Sequence, residues 1–222
     1  KEANLEIIKY STIFKVSLPL MFAQSVQFLM AWTDKLMIGG MLNSEAVGIY
    51  HTAFKLSMFS AISLMSINSI ASPKFAEKFY NNDFIGLKKI SNQSTKLIFV
   101  STIPLIILSF LFPKFLLGIF GKEFVAGTIA FLILSVGRLI SSLSGPAGNI
   151  LQMTNNQNIY AKILFIGALA NIFLNYMLIP IYGVNGAAIA SMLSLAIWNV
   201  LMIYEVRKKF CFYTFYQPFK ND

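Results

Sequence analysis

Asp34, Lys35, His51, Lys55 and Arg138 interrupt long apolar runs in this 222-residue chain. A charge within an apolar span is costly and needs a counter-ion, water or a ligand. On the first apolar run Gln24, Gln27, Ala31 and Asp34 follow the spacing of one helical face, with Lys35 flanking it and Trp32 beside it. That stripe reads as a polar face lining a water-filled cavity. The competing reading has Asp34 and Lys35 snorkel to the outer headgroups. On the second run His51, Lys55, Met58, Ile62, Ser66 and Ser69 share a face. Lys55 is about ten residues from the outer end of that run, or ~15 Å at helical rise. This depth is near the midplane of a ~30 Å hydrocarbon core. Arg138 is central in a later run, with Ser135, Ser142 and Gly145 on its face. A guanidinium among small polar neighbours suits a phosphate, which its planar fork binds bidentately.

An internal ion pair of Asp34 with Lys55 or Arg138 is the bland alternative. One carboxylate cannot neutralise Lys35, Lys55 and Arg138 together, so such an interior attracts an anion. The expected substrate-binding set is Lys55, Arg138, His51 and Gln27, with Asp34 and Lys35 as coupling or counter-ion groups. Asn171 and Asn175, four residues apart, and Asn199 are read as interhelical hydrogen-bonding groups.

Catalytic chemistry has little to work with. There is one histidine and one cysteine, Cys211, which leaves no clustered ligands for a zinc hydrolase and no internal disulfide. No glycine-rich phosphate loop, nucleophile elbow or paired carboxylates are found. No enzyme activity, cofactor or metal is expected.

The elements that position these residues follow from composition. Hydrophobic residues make up 56% of the chain and charged ones 12%, about half the charge of a soluble domain. The chain reads as all-α, an integral membrane bundle of about six transmembrane helices. The expected spans are 12–41, 46–72, 97–120, 124–153, 159–182 and 187–204, each near or above the ~20 residues that cross hydrocarbon. Pro104, Pro113 and Gly145-Pro146 mark kinks. The small-residue run from Gly183 to Ala190 lets two helices approach closely.

Net charge is +9. The basic residues fall between spans and carry no aromatic-interleaved stripe, so membrane orientation rather than nucleic acid explains them. Lys1, Lys9, Lys74, Lys78, Lys88, Lys89, Lys162, Arg207, Lys208 and Lys209 fall on one side. The positive-inside rule makes that side cytoplasmic and puts both termini there. The segment 73–96 is expected as a cytoplasmic amphipathic loop or short helix on anionic lipid. Lys1 to Lys9 leads into a span too long for a cleavable signal peptide. The chain starts at Lys1, so a fragment or processed form is expected.

An ordered series of short segments resembles a known family. Trp32-Thr33-Asp34 with Met37, Ile38 and Gly39, then Ala46-Val47-Gly48-Ile49-Tyr50, resembles the start of the second half of a polysaccharide flippase. So do Ser72 to Ala76, Gly145 to Thr154, Asn171 to Asn175, Leu178 to Gly183 and Asn185 to Ala188, in the expected order. The family is the oligosaccharidyl-lipid and polysaccharide branch of the multidrug/oligosaccharidyl-lipid/polysaccharide exporter superfamily. The resemblance implies one half, the C-terminal bundle over 1–222, of a two-bundle MATE-like fold. It implies flipping of polyprenyl-pyrophosphate-linked oligosaccharides, for O-antigen, lipopolysaccharide or other surface polysaccharide, across the bacterial cytoplasmic membrane by alternating access. Implied partners are a lipid-linked oligosaccharide, membrane lipids, the missing N-terminal bundle or a second copy, and a polysaccharide polymerase. No catalytic residue is implied. A drug/cation antiporter of the same superfamily, which wants acids in its cavity, and a truncated non-transporting half are the alternatives.

Overall fold

A computed structural model describes residues 10–216, and these form a bundle of helices with no strand among them. The chain order is α1 (Tyr10–Met41), α2 (Ser44–Met58), α3 (Ala61–Tyr80), α4 (Phe84–Leu111), α5 (Pro113–Gly118), a 3-10 segment (Lys122–Gly127), α6 (Thr128–Ser144), α7 (Ala147–Met153), α8 (Gln157–Tyr182) and α9 (Val184–Phe210). Lys1 and Lys9 lie outside the described residues.

The surface is that of a lipid-immersed protein. Phe14, Leu36, Phe115 and Ile181 are each at least 66% exposed, which water penalises and acyl chains accept. Four segments are long and apolar enough to span hydrocarbon: Phe84–Leu111, Lys122–Ser144, Gln157–Tyr182 and Val184–Phe210. A fifth arises if α2 and α3, bent by 46° at Phe59-Ser60, count as one. The 32-residue α1 is not in that set, and Gln24, Gln27, Asp34 and Lys35 dilute its apolar character.

The expected spans correspond to broken as well as continuous helices. The 46–72 run is divided between α2 and α3. The 97–120 run is the second half of α4 followed by α5, and 124–153 is α6 and α7 parted at Gly145-Pro146. The segment 73–96 holds little loop. It is the end of α3, a tight turn at 81–83 and the first half of α4. Asp83 builds that turn by accepting the Gly86 N–H at 2.8 Å and pairing with Lys78 at 2.9 Å. The Lys78 ammonium first, and the Gly86 N–H second, hold the Asp83 carboxyl below its usual range.

Backbone groups freed at breaks need partners in a dry medium. Serine and threonine hydroxyls are mostly satisfied inside their own helix. Ser109, Ser135, Ser144 and Thr154, for example, bond the carbonyl four residues back at 2.8 Å. Such residues then add polarity without a separate partner.

The interior has two apolar clusters. One packs Ala23, Phe75, Leu87, Ile150, Leu164 and Val206, among others. The second packs Ile38, Tyr50, Leu117, Phe131, Ile179 and Ala187, among others. Along α1, α8 and α9 a polar band separates them: Asp34 on α1, Asn171 and Asn175 on α8, Ser191 and Ser194 on α9. The α8–α9 junction is as close as its small residues suggest. Ala187, Ala188 and Ala190 are fully buried, and a Cβ on Gly186 stands 2.1 Å from the Leu178 carbonyl oxygen. Gly186→Val therefore pries the two helices apart. The expected cost is about 1–3 kcal/mol, read as a lower unfolding midpoint in detergent.

Candidate functional site

Of the stripe on α1, Gln27, Ala31 and Asp34 turn toward the interior and Gln24 is exposed. Asp34 is buried, 2% exposed, about two helical turns from the end of α1. The snorkelling alternative for Asp34 is thereby overturned, because its carboxylate is taken up by three neighbouring helices. Tyr50 Oη on α2 donates to its Oδ2 at 2.6 Å, and Ser191 Oγ on α9 donates to the same oxygen at 2.5 Å. Asn175 Nδ2 on α8 donates to Oδ1 at 2.7 Å. Asn175 also reaches Asn171 Oδ1 at 3.2 Å, and Asn171 Nδ2 lies 3.5 Å from Ser194 Oγ. The polar band is thus one connected network centred on a carboxylate. All three of its direct partners are neutral donors, and the one ion pair among the described residues is Lys78–Asp83. Pairing of Asp34 with Lys55 or Arg138 is not found.

Next to the network lies a cavity of about 260 Å³ lined by Gln27 and Asp34 of α1, Phe54 of α2, Arg138 of α6, Asn171 of α8 and Ser191 and Trp198 of α9. A groove of about 520 Å³ continues toward the basic end of the bundle. Its walls include Gln24, Asn68, Ser72, Asn149, Gln152, Tyr160 and Asn199. Gln27, Met58, Arg138, Leu195 and Trp198 border both spaces, so Arg138 stands at their junction. Its guanidinium lies 5.4 Å from the centroid of the Phe54 ring and has no carboxylate partner among the described residues. The groove walls are cross-braced by amides. Asn149 Nδ2 donates to Ser72 Oγ at 2.8 Å and to the Asn68 carbonyl at 3.1 Å. Asn199 Nδ2 donates to Ser141 Oγ at 3.1 Å, an interhelical bond as its sequence position suggested. Gln27 Nε2 donates to Tyr160 Oη at 2.8 Å and so ties α1 to α8.

The remaining candidates sit elsewhere. Lys55, in the last turn of α2, is exposed and borders neither space. The bend after Met58 splits its expected face: Met58 joins the cavity wall, while Ile62 is 53% exposed. Lys35 is half-buried, with its ammonium 4.8 Å from the Trp32 centroid and 5.7 Å from that of Phe54. Phe54 therefore has Lys35 and Arg138 both over its ring. His51 lies near enough to Lys35 and Lys55 for their charges to act on one another, and its enclosed Nδ1 has no partner among the described residues. The structure thus gathers Gln27, Asp34 and Arg138 at the cavity, and leaves Lys35, His51 and Lys55 outside its lining. Tyr50, Ser191 and Ser194 were not anticipated. The three-residue spacing of Ser191 and Ser194, opposite Asn171 and Asn175, was the available signal.

A polar, charged centre inside an all-helical membrane bundle narrows the families to compare. Residues 19–177 match the MatE family. The chain belongs to the MatE family. It is 27% identical to "Probable low-salt glycan biosynthesis flippase Agl15" of Haloferax volcanii, over 77% of this chain and 36% of that protein. It is 26% identical to "Capsular polysaccharide biosynthesis protein CapF" of Staphylococcus aureus, over 86% of this chain and 48% of that one. This MatE chain spans less than half the length of either relative. In fold it resembles a transporter of the MOP superfamily from Pyrococcus furiosus, with a TM-score of 0.76 at 22% identity, over 95% of this chain and 48% of that one. The MatE chain therefore has the fold of one half of a MATE-like transporter.

Proposed function

We propose that this chain is one half of a flippase that carries polyprenyl-pyrophosphate-linked oligosaccharides across the bacterial cytoplasmic membrane by alternating access. The observation that carries this reading is Arg138, a half-buried guanidinium without a carboxylate partner at the junction of two internal spaces. In a low-dielectric interior such a charge attracts an anion, and its fork matches a phosphate. Lys35 and Lys55 add positive potential on the outer side of the cavity. The groove beyond Arg138 offers Asn68, Ser72, Asn149 and Gln152 as hydrogen-bonding partners, with Tyr160 and Trp198 as ring surfaces. That combination suits sugar hydroxyls and sugar faces. The prenyl chain stays in lipid beside the bundle.

The names of the glycan and capsular relatives agree with this substrate class. O-antigen units and other surface-polysaccharide repeats share the pyrophosphate and differ in sugar. The basic end faces the cytoplasm in this reading, with both termini there. The bundle is completed by an N-terminal bundle or a second copy, rocking of one against the other moves the site between leaflets, and a polymerase consumes the product.

The drug/cation alternative has one supporting observation, the carboxylate of Asp34 in the cavity wall. Both of its oxygens already accept from neutral donors, and the cation Arg138 lines the same cavity. The test is complementation. A cell lacking its own flippase receives the full-length protein, and lipid-linked repeat units reaching the outer leaflet are counted. Restored delivery supports the flippase. Export of a cationic dye without any delivery of lipid-linked saccharide replaces it with the antiporter.

A further inference from the structure

Beyond α9 the chain doubles back into the bundle. Cys211 adopts the left-handed conformation (φ 61°), and its N–H closes on the Arg207 carbonyl at 2.9 Å. The non-helical residues that follow are buried in part between α4 and α6: Phe212 is 5% exposed and Thr214 fully enclosed. Thr214 Oγ1 donates to the Ser144 carbonyl at 2.8 Å, and the Tyr216 N–H donates to the Leu143 carbonyl at 3.0 Å. The Thr95 hydroxyl of α4 lies 2.7 Å from the Thr214 carbonyl oxygen. The Tyr216 ring stacks on Phe99 of α4 at 4.4 Å, and Arg207 stands 4.0 Å over Tyr213.

Leu143 and Ser144 are the last residues of α6, whose ladder stops at Gly145-Pro146. Their carbonyls would be orphans, because the last turn of a helix has no intrahelical donors. The tail supplies those donors from a distant part of the chain. Gly145, at φ +68°, permits this approach, since a Cβ there would stand 2.2 Å from Thr95 Oγ1 and 2.6 Å from the Thr214 carbonyl oxygen. The same break begins α7, which carries Asn149 and Gln152 into the groove wall. Gly145 and Pro146 line the groove themselves.

We propose that residues 212–216 form a strap that latches the α6–α7 joint, and that release of the strap frees α7 and opens the groove at the basic end. Phe212 anchors the base of the strap in an apolar cluster, and beyond it the grip is a few hydrogen bonds, one ring stack and Arg207 over Tyr213, strong enough to hold two dry carbonyls and small enough to let go. A continuous apolar seam would fix the joint permanently, whereas these polar contacts exchange for water admitted by the groove. The inference does not depend on which solute the groove carries.

The experiment uses the full-length protein with its cysteines, Cys211 among them, replaced by serine, and Gln152→Cys as a reporter in the groove wall. The rate of maleimide labelling is measured with and without the pair Thr95→Val and Thr214→Val, which removes two hydroxyl donors and keeps their shape. Labelling is expected to rise by about tenfold in the pair, the effect of losing two ordinary hydrogen bonds from a latch. Unchanged labelling, alongside faster amide exchange in residues 212–216, overturns the proposal, because the tail would then be a passive cap. If the double variant does not insert, Tyr216→Ala is read in the same way: a several-fold rise supports the latch and no rise refutes it.

Discussion

Arg138→Ala is expected to reduce flux of a pyrophosphate-linked saccharide by on the order of a hundredfold at equal expression. The estimate rests on one bidentate, charge-assisted contact worth about 2–3 kcal/mol in a partly dry cavity. Arg138→Lys keeps the charge and loses the fork, so about a tenfold loss is expected. Lys55→Ala provides the contrast. Its ammonium is exposed and borders neither internal space, so only a two- to threefold loss from weaker steering is expected, and it should shrink at high salt. Equal losses at both positions would place the anion outside the cavity, among the cations of α1 and α2.

Asp34→Leu is expected to lower the stability of the purified protein by about 3 kcal/mol in detergent unfolding. The substitution leaves Tyr50, Asn175 and Ser191 without their shared acceptor, and an enclosed unpaired donor costs about 1–3 kcal/mol. The loss falls short of three full penalties for a structural reason. Tyr50 and Ser191 are 3.1 Å apart and can bond each other, and Asn175 retains Asn171 at 3.2 Å. Asp34→Asn keeps one acceptor oxygen and turns an amide toward donors, so a smaller loss, about 1–2 kcal/mol, is expected. Transport separates a counter-ion from a coupling group. A coupling role predicts that the asparagine variant folds yet loses its response to an imposed proton or sodium gradient. A purely structural role predicts that the response survives.

The parts legible in the sequence were those that depend on one helix at a time. Gln27 and Asp34 reach the cavity, and Gln24, exposed, borders the groove, because three- and four-residue spacing fixes a face. Arg138 sits in the cavity wall because its surrounding run offers no route to water. Gly183 to Ala190 forms a close junction because side-chain size is written in the residues themselves. What escaped depends on pairs far apart in the chain. Asp34 meets Asn175 and Ser191 across 141 and 157 residues, and Thr95 meets Thr214 across 119. No local pattern encodes those distances. The path of the second apolar run escaped as well. Its 46° bend occurs at Phe59-Ser60, with neither proline nor glycine to announce it. Met58 and Ser69 still border the groove together, and Lys55, on the same expected face, borders neither space.

Transport of a pyrophosphate-linked substrate requires the interior of this bundle to hold a phosphate through Arg138. The most direct measurement is the affinity of the purified full-length protein for a short-chain prenyl-pyrophosphate saccharide, with Arg138 intact and as Arg138→Gln. Binding at least tenfold weaker in the glutamine variant, with no such difference for the same lipid-linked sugar lacking phosphate, is the predicted result. Equal affinity of the two proteins for the pyrophosphate compound would contradict it.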